Sequence, residues 1–424
     1  MRTFLRELNF FRIMMSYNPP ANKPTDAKDH YSVPADRATP SCIDSYFIEQ
    51  IRRGGPMPFD RWMSLCLYHP QSGYYLNGNQ HVGKDGDFFT SVSVGACFGM
   101  LLAQRVLNYL EQTEKTAQPL HLIELGANNG QLAKDILDHL LTSAPEVYSQ
   151  IHYHICEPLE IPRNAQSKTL AAHAHKLTHH DSLAAIKSPF DHAIILSNEL
   201  IDAFPVKLIT HTEQQWAELY VDHTPELGFH FSPHPIQSPE ALAFLAQLPP
   251  LPNGYTTEFR PGLDAFTANC ARLIKQGMVL TIDYGYTHTA YYHPERSTGT
   301  LRTYHGHKAG ENPLDLPTQQ DITAHVDFTQ LATSFQKHQL IPTYFNSQSR
   351  FLTHHSKAWL AHIEQHPETL PHKLIRQFQT LTHPTMMGQQ FMVLECTKNA
   401  PPNPELTSTL ELNRPDAFPK PANS

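Results

Sequence analysis

The sequence predicts an α/β protein: a Rossmann-like parallel sheet with helices on both faces, preceded by a helical and lid region and interrupted by a β-rich insertion. Three observations carry this. Apolar segments of strand length alternate with segments of helical period between residues 119 and 204. A glycine-bounded turn, "ELGANNG" (124–130), follows the first of those strands. Chemically distinctive residues then recur just past the end of each later strand. Such alternation implies parallel pairing through crossover helices.

The elements follow in order. Residues 1–40 should form a disordered leader, Pro-rich and polar beyond Met15. Its first fifteen residues, "MRTFLRELNFFRIMM", are either a mitochondrial presequence, with Arg2, Arg6 and Arg12 on one helical face, or the product of an upstream start codon that is not used. Residues 41–118 read as helical at both ends around the Gly-rich "GYYLNGNQHVGKDGDFF" (73–89), with a helix over 58–68 entered at Pro58. The main α/β domain is expected over 119–398. It opens with the strand "LHLIEL" (120–125) and a helix whose Leu132, Ile136 and Leu140 share one stripe. "IHYHICEP" (151–158) and "FDHAIILSNE" (190–199) are the next strands. "VKLITHTEQQWAELYV" (206–221) reads as a hairpin, with strands near 205–211 and 215–222, inside an insertion of about 205–256. "AFTANCARLIKQGMVLTIDYG" (265–285) gives a helix, a stop at Gly277 and a fourth strand. Residues 284–325 are loop-rich, and Asp321 is expected to cap a helix through "ITAHVDF" (322–328). The last strands are "LIPTYFNSQ" (340–348) and "QQFMVLEC" (389–396), with a helical stretch between them; 399–424 is a Pro-rich tail.

Composition narrows the classes. A formal charge of −8 gives no global drive toward nucleic acid. No apolar run reaches the roughly 18 residues that span a bilayer. The cysteines at 42, 66, 97, 156, 270 and 396 form no CxxC pair, which fits reduced thiols and no metal cluster. The 28 histidines include "HAHKLTHHD" (173–181), read as a solvated face, so no metal is expected. A cytoplasmic setting is expected, with the mitochondrial matrix as the alternative.

An open parallel sheet binds ligands beyond the carboxyl ends of its strands. Gly126 follows the first strand, Glu157 the second, Asn198 and Glu199 the third, and Asp283 the fourth. Gly126 and Gly130 allow a sharp turn and close approach to a ligand. Asn128 stands where many such turns carry glycine, and asparagine tolerates left-handed backbone best among the other residues. Glu157, 31 positions after Gly126, is placed to accept from both hydroxyls of a ribose. A nicotinamide dinucleotide would want GxGxxG for its pyrophosphate, and this turn lacks two of those glycines. S-adenosylmethionine carries no phosphate and asks less of the loop. Glu124 is a candidate for its ammonium end through an ordered neighbour. Asp87, Thr90 and Ser91 in "GKDGDFFTS" (83–91) could reach it from a lid. Asn198 can accept from an incoming amine, Glu199 can hold a cation, and Glu258 and Asp202 are further carboxylates. His325 could face the pocket, though a packed core or surface histidine is the favoured reading.

Several long segments carry a resemblance: "GPMPFDRWMSLCLYHPQSGYY" (55–75), "GDFFTS" (86–91), "NELIDAFPV" (198–206), "IDYGY" (282–286), "YYHPERSTGTLRTYHGHKAGENPLDLPTQQDITAHVDF" (291–328) and "MMGQQFMVLE" (386–395). Over about residues 43–396 the chain resembles the MidA-type proteins, class I S-adenosylmethionine-dependent methyltransferases related to the mitochondrial complex I assembly protein arginine methyltransferase. The resemblance implies that Gly126, Gly130 and Glu157 border S-adenosylmethionine, that the "GDFFTS" loop covers it, and that a protein arginine is the acceptor. The family usually carries a glycine where Asn128 stands. Two rival readings remain at this stage: a nicotinamide-dependent oxidoreductase on the same sheet, and a non-catalytic assembly factor on a methyltransferase fold. The oligomeric state is not readable from the sequence.

Overall fold

Strands in which Leu, Ile and Val alternate with polar residues, as in "LHLIEL" and "IHYHIC", form the larger sheet of the protein. The structure, a computed structural model, describes residues 40–76, 90–113, 119–213, 215–306 and 308–400. Most of the expected leader, the tail past Ala400 and Asp87 lie outside the described residues.

The described residues form two compact units. The larger comprises 90–201, 266–289 and 326–400. Its sheet has eight strands, numbered here in chain order: β1 Leu120–Leu125, β2 Ile151–Cys156, β3 Leu177–His180, β4 Phe190–Asn198, β5 Ile274–Tyr286, β6 Val326–Asp327, β7 Ile341–Ser347 and β8 Phe391–Lys398. The order across the sheet is β7-β8-β5-β4-β1-β2-β3, and the short β6 pairs with β5. β3, β2, β1, β4 and β5 pair in parallel. β8 runs antiparallel to both β5 and β7. The chain leaves β1 toward β2 and β3 on one side and returns through β4 on the other, so the order reverses between β1 and β4. That reversal opens a crevice at the carboxyl ends of the two strands.

Helices Cys97–Gln112 and Gln131–Ser143 cover one face of this sheet, with Phe98, Leu101, Leu132, Ile136 and Leu140 packed against Leu120, Leu122, Ile194 and Leu280. The expected Leu132–Ile136–Leu140 stripe is buried along its whole length. Helix Phe328–Lys337 lies outside that cluster, with Phe335 against Phe266 and Ser334 hydrogen-bonded to Thr267 at 2.7 Å. Arg105, on the helix Cys97–Gln112, reaches Glu395 of β8 through Nε and Nη2, both 2.8 Å. Both side chains are almost wholly buried. Removing one partner of a buried pair of this kind costs roughly 3–5 kcal/mol, because the other charge is stranded.

Two local expectations are corrected. Gly277 does not stop a helix: the helix Leu263–Leu273 passes straight into β5, and Gly277 lies within the strand, where a Cβ would sit 1.8 Å from the Ala193 carbonyl oxygen. Asp321 caps no helix. It sits in the short strand Asp321–Thr323, held by pairing with Arg302–His305, and its carboxylate accepts from Tyr75 Oη and its neighbour's amide. The helix begins later, at Phe328, and Asp327 caps it by accepting from Thr329 N at 3.0 Å and Gln330 N at 3.1 Å.

The smaller unit comprises 40–76, 202–265 and 290–325. The helix Phe59–Tyr68 follows Pro58 as expected. The hairpin is present as Lys207–His211 and Trp216–Thr224, extended by Gly228–Pro235 and Thr256–Phe259. Met57–Pro58 pairs antiparallel with Tyr220–Val221, which draws the N-terminal segment onto the hairpin. Phe47, Trp62, Val206, Leu208, Val221 and Ile322 form its core.

Candidate functional site

The turn after β1 carries the first part of the site. Gly126, Asn128 and Gly130 all adopt left-handed backbone, with φ of 67°, 46° and 83°. Asparagine at the middle position holds the same hand as the flanking glycines, so the turn survives the substitution. Gly130 N donates to Ala127 O at 2.7 Å, and Asn129 Oδ1 accepts from Gln131 N at 3.1 Å, closing the turn onto the helix Gln131–Ser143. Gly126 N reaches Cys156 O at 3.3 Å and binds the turn to the end of β2.

Glu157 follows β2 directly and is buried. Its Oε1 accepts from Leu159 N at 3.0 Å. Burial pushes its carboxyl up to about 7, opposed by the Leu159 amide, Arg163 and Gln166. Gln166, fully buried, also donates to Asn128 O at 2.8 Å and meets His179 Nε2 at 3.0 Å. It therefore braces the glycine turn from the helix Glu160–Thr169. Sequence reading missed Gln166: it is one polar residue among many in a polar helix, and no spacing singles it out.

β4 supplies the second part. Asn198 is its last residue, and Glu199 turns the chain with φ of 49°. Asn198 Nδ2 donates to Glu199 Oε1 at 3.0 Å, while Asn198 Oδ1 is buried with no partner among the described residues. Glu199 Oε1 also accepts from Ser91 N at 3.3 Å. Leu200 lies against Gly126, where a Cβ would come within 2.9 Å of Leu200 Cδ1. The structure thus brings Gly126, Gly130, Glu157, Asn198, Glu199 and Ser91 to one edge of the sheet.

Other expected residues use their side chains in ways of their own. Glu124 shares its strand face with Leu120 and Leu122. Its side chain enters a small interior cavity of about 20 Å³, lined also by Arg105 and Tyr153. Its Oε2 accepts from Tyr153 Oη at 2.7 Å, and burial pushes its carboxyl up to about 7. Thr90 uses its hydroxyl to cap the short helix Ser91–Val94, accepting from Ser93 N at 3.1 Å. Ser91 Oγ donates to Gln348 Oε1 at 2.9 Å. Glu258 belongs to the smaller unit, and both its oxygens are engaged: Oε1 accepts from Thr300 N at 2.6 Å and Leu301 N at 3.0 Å, and Oε2 from Tyr291 Oη at 2.7 Å. This carboxylate pins the 291–301 segment to the strand Thr256–Phe259. Asp202, in the same unit, is buried and pushed up to about 6 by that burial, against the pull of Arg260. His325 bonds to Thr300 as a packed histidine, and burial pulls it down to about 4.

A sheet with one antiparallel strand near its edge, reversed between β1 and β4, with a left-handed turn after β1 and a buried acid after β2, defines a Rossmann-like S-adenosylmethionine-dependent methyltransferase. The chain belongs to a family described as S-adenosyl-L-methionine-dependent methyltransferases, whose model matches residues 101–345, more than half of the chain. It is 27% identical over 380 residues to the mitochondrial protein arginine methyltransferase NDUFAF7 homolog of Drosophila melanogaster, covering 80% of this chain and 81% of that one. The human mitochondrial protein arginine methyltransferase NDUFAF7 is 27% identical over 314 residues, 68% of this chain and 67% of that one. A Burkholderia thailandensis protein solved with bound S-adenosyl-homocysteine superposes with a TM-score of 0.75 at 28% identity, covering 85% of this chain and 93% of that one. The curated relatives are named mitochondrial, so the expected cytoplasmic setting gains no support from them. Among the described residues no helix is long and apolar enough to cross a membrane.

The site suits the cofactor of this class. A Cβ at Gly126 would come within 2.9 Å of Leu200 Cδ1 and one at Gly130 within 3.0 Å of Leu170 Cδ1, so glycine keeps the turn compact, and the buried Glu157 offers a hydrogen-bond acceptor at the neighbouring strand end.

Proposed function

We propose that the chain methylates a protein arginine in the mitochondrial matrix, with the turn 126–130 and Glu157 holding the cofactor and with Asn198 and Glu199 receiving the acceptor. One observation carries this reading: a buried amide oxygen lacking a described partner and a carboxylate stand side by side at the end of β4, and the next residue, Leu200, packs against Gly126. The names of the curated relatives support the arginine acceptor and the compartment.

The chemistry asked of the chain's own residues is modest. When bound, S-adenosylmethionine supplies an electrophilic methyl group on a positively charged sulfur. A guanidinium is protonated at neutral pH and needs a carboxylate to orient it and localise its charge. Glu199 is placed to do this and to take the proton that the methylated nitrogen gives up. Asn198 Oδ1, already desolvated, accepts an N–H from the same group and fixes its angle. Glu258 is left out of this assignment, since its oxygens hold the 291–301 segment.

Glu199→Gln should retain S-adenosyl-homocysteine binding by calorimetry. Its formation of methylarginine from tritiated S-adenosylmethionine and protein extract should fall by on the order of 100-fold. Wild-type transfer by the variant would remove Glu199 from the mechanism. Label recovered in a residue other than arginine would overturn the acceptor.

A further inference from the structure

Glu199 occupies backbone that a non-glycine residue adopts only under constraint. Its amide donates to Ile282 O at 2.9 Å, fixing the start of the turn to β5. The next two amides converge on a single carboxylate oxygen: Leu200 N at 3.2 Å and Ile201 N at 2.8 Å both donate to Asp283 Oδ2. Asp283 is fully buried on β5, and its other oxygen accepts from its neighbour Tyr284 N at 2.8 Å. A buried carboxylate gripping two successive amides is a strong local restraint, because such charge-assisted bonds are roughly twice as strong as neutral ones.

We infer that Asp283 is a positioning residue for methyl transfer: it locks the 199–201 turn so that Glu199 is held left-handed with its carboxylate presented at the sheet edge. The inference rests on the acceptor role proposed for Glu199. Without the two bonds from Leu200 and Ile201, Glu199 relaxes toward ordinary backbone, and its carboxylate swings off the position set by Asn198 Nδ2 and Ser91 N. Displacements of about 1 Å in a reacting geometry cost on the order of 100-fold in rate. Leu200, on the same turn, also closes over Gly126, so the lock fixes the acceptor side relative to the glycine turn.

A double-mutant cycle on the full chain tests this. Asp283→Asn, Glu199→Gln and the double variant are compared for methylarginine formation from tritiated S-adenosylmethionine and extract protein, and for S-adenosyl-homocysteine binding by calorimetry. Asp283→Asn should bind the product normally and lose transfer by on the order of 100-fold. In the Glu199→Gln background the same change should cost less than about threefold, since the residue it positions is already disabled. A loss that recurs in full in that background overturns the positioning role and leaves the acceptor reading standing. Unchanged transfer by Asp283→Asn overturns it too. Unchanged transfer by Glu199→Gln removes the acceptor reading and this inference with it. If Asp283→Asn does not fold, Asp283→Glu, which keeps the charge but shifts it by one methylene, takes its place in the cycle under the same criteria.

Discussion

Glu157 offers the sharpest prediction. A ribose diol donates two hydrogen bonds, and only an ionised carboxylate accepts both without donating in return. Burial holds this carboxyl at about 7, so near neutral pH only part of the apo protein is competent. Cofactor affinity should therefore follow the ionised fraction, becoming about tenfold weaker at pH 6 than at pH 8, or about 1.4 kcal/mol. Glu157→Gln should abolish this slope and weaken the pH 8 affinity by roughly 1.5–3 kcal/mol, the worth of hydrogen bonds to a charged group. Calorimetric titration with S-adenosyl-homocysteine at pH 6, 7 and 8, at fixed ionic strength, measures both. Glu124 also sits at about 7, so Glu124→Gln is the control, and it should keep the wild-type slope. A pH-independent wild type, or the same slope in Glu157→Gln, would refute the reasoning. The effect on folding has the opposite sign. With a folded-state value above the usual 4.5, the folded state binds more protons between pH 4.5 and 7, and the Glu157 contribution to stability falls as pH rises through that window.

Two further outcomes follow from the geometry. Asn128→Gly should change stability by no more than about 1 kcal/mol in urea unfolding, since relief of the left-handed backbone and added unfolded-state entropy offset each other. Asn128→Val, at φ 46°, should lose roughly 1–3 kcal/mol, and equal stability of the two variants would contradict the backbone account. His154 is held down to about 3 by burial and by its histidine neighbours, bonding His121 at 2.8 Å and His180 at 2.9 Å. Neutral when folded and protonated when unfolded below its usual 6.5, it contributes stability above pH 6.5 that is lost as pH falls toward 3. The stability difference between pH 7 and pH 5 should shrink in His154→Gln, and an unaltered difference would exclude His154 as its source.

Much of the sheet was legible because its strands are short apolar runs bounded by Gly, Pro and acids, and because the parallel order follows from their alternation with helices. The left-handed Asn128 was legible for the same local reason. What failed depended on distant pairing. Asp321 looked like a helix cap, but Arg302–His305 claims that segment as a strand and delays the helix to Phe328. Glu258 looked like a spare carboxylate, but its donors come from residues 291, 300 and 301, far along the chain. Glu124 is different, because the period of two along β1 places it with Leu120 and Leu122 on the core face, and that signal was present in the sequence. Asp283 was visible as an acid at a strand end, yet its grip on the Leu200 and Ile201 amides depends on the β4–β5 register.

A crystal structure of the full chain with S-adenosyl-homocysteine tests the central assignment most directly. The account predicts ribose density within hydrogen-bond distance of Glu157 and the nucleoside against the 126–130 turn, with the sulfur facing Asn198 and Glu199. Density seated elsewhere on the sheet, with no ribose hydroxyl bonded to Glu157, would contradict it.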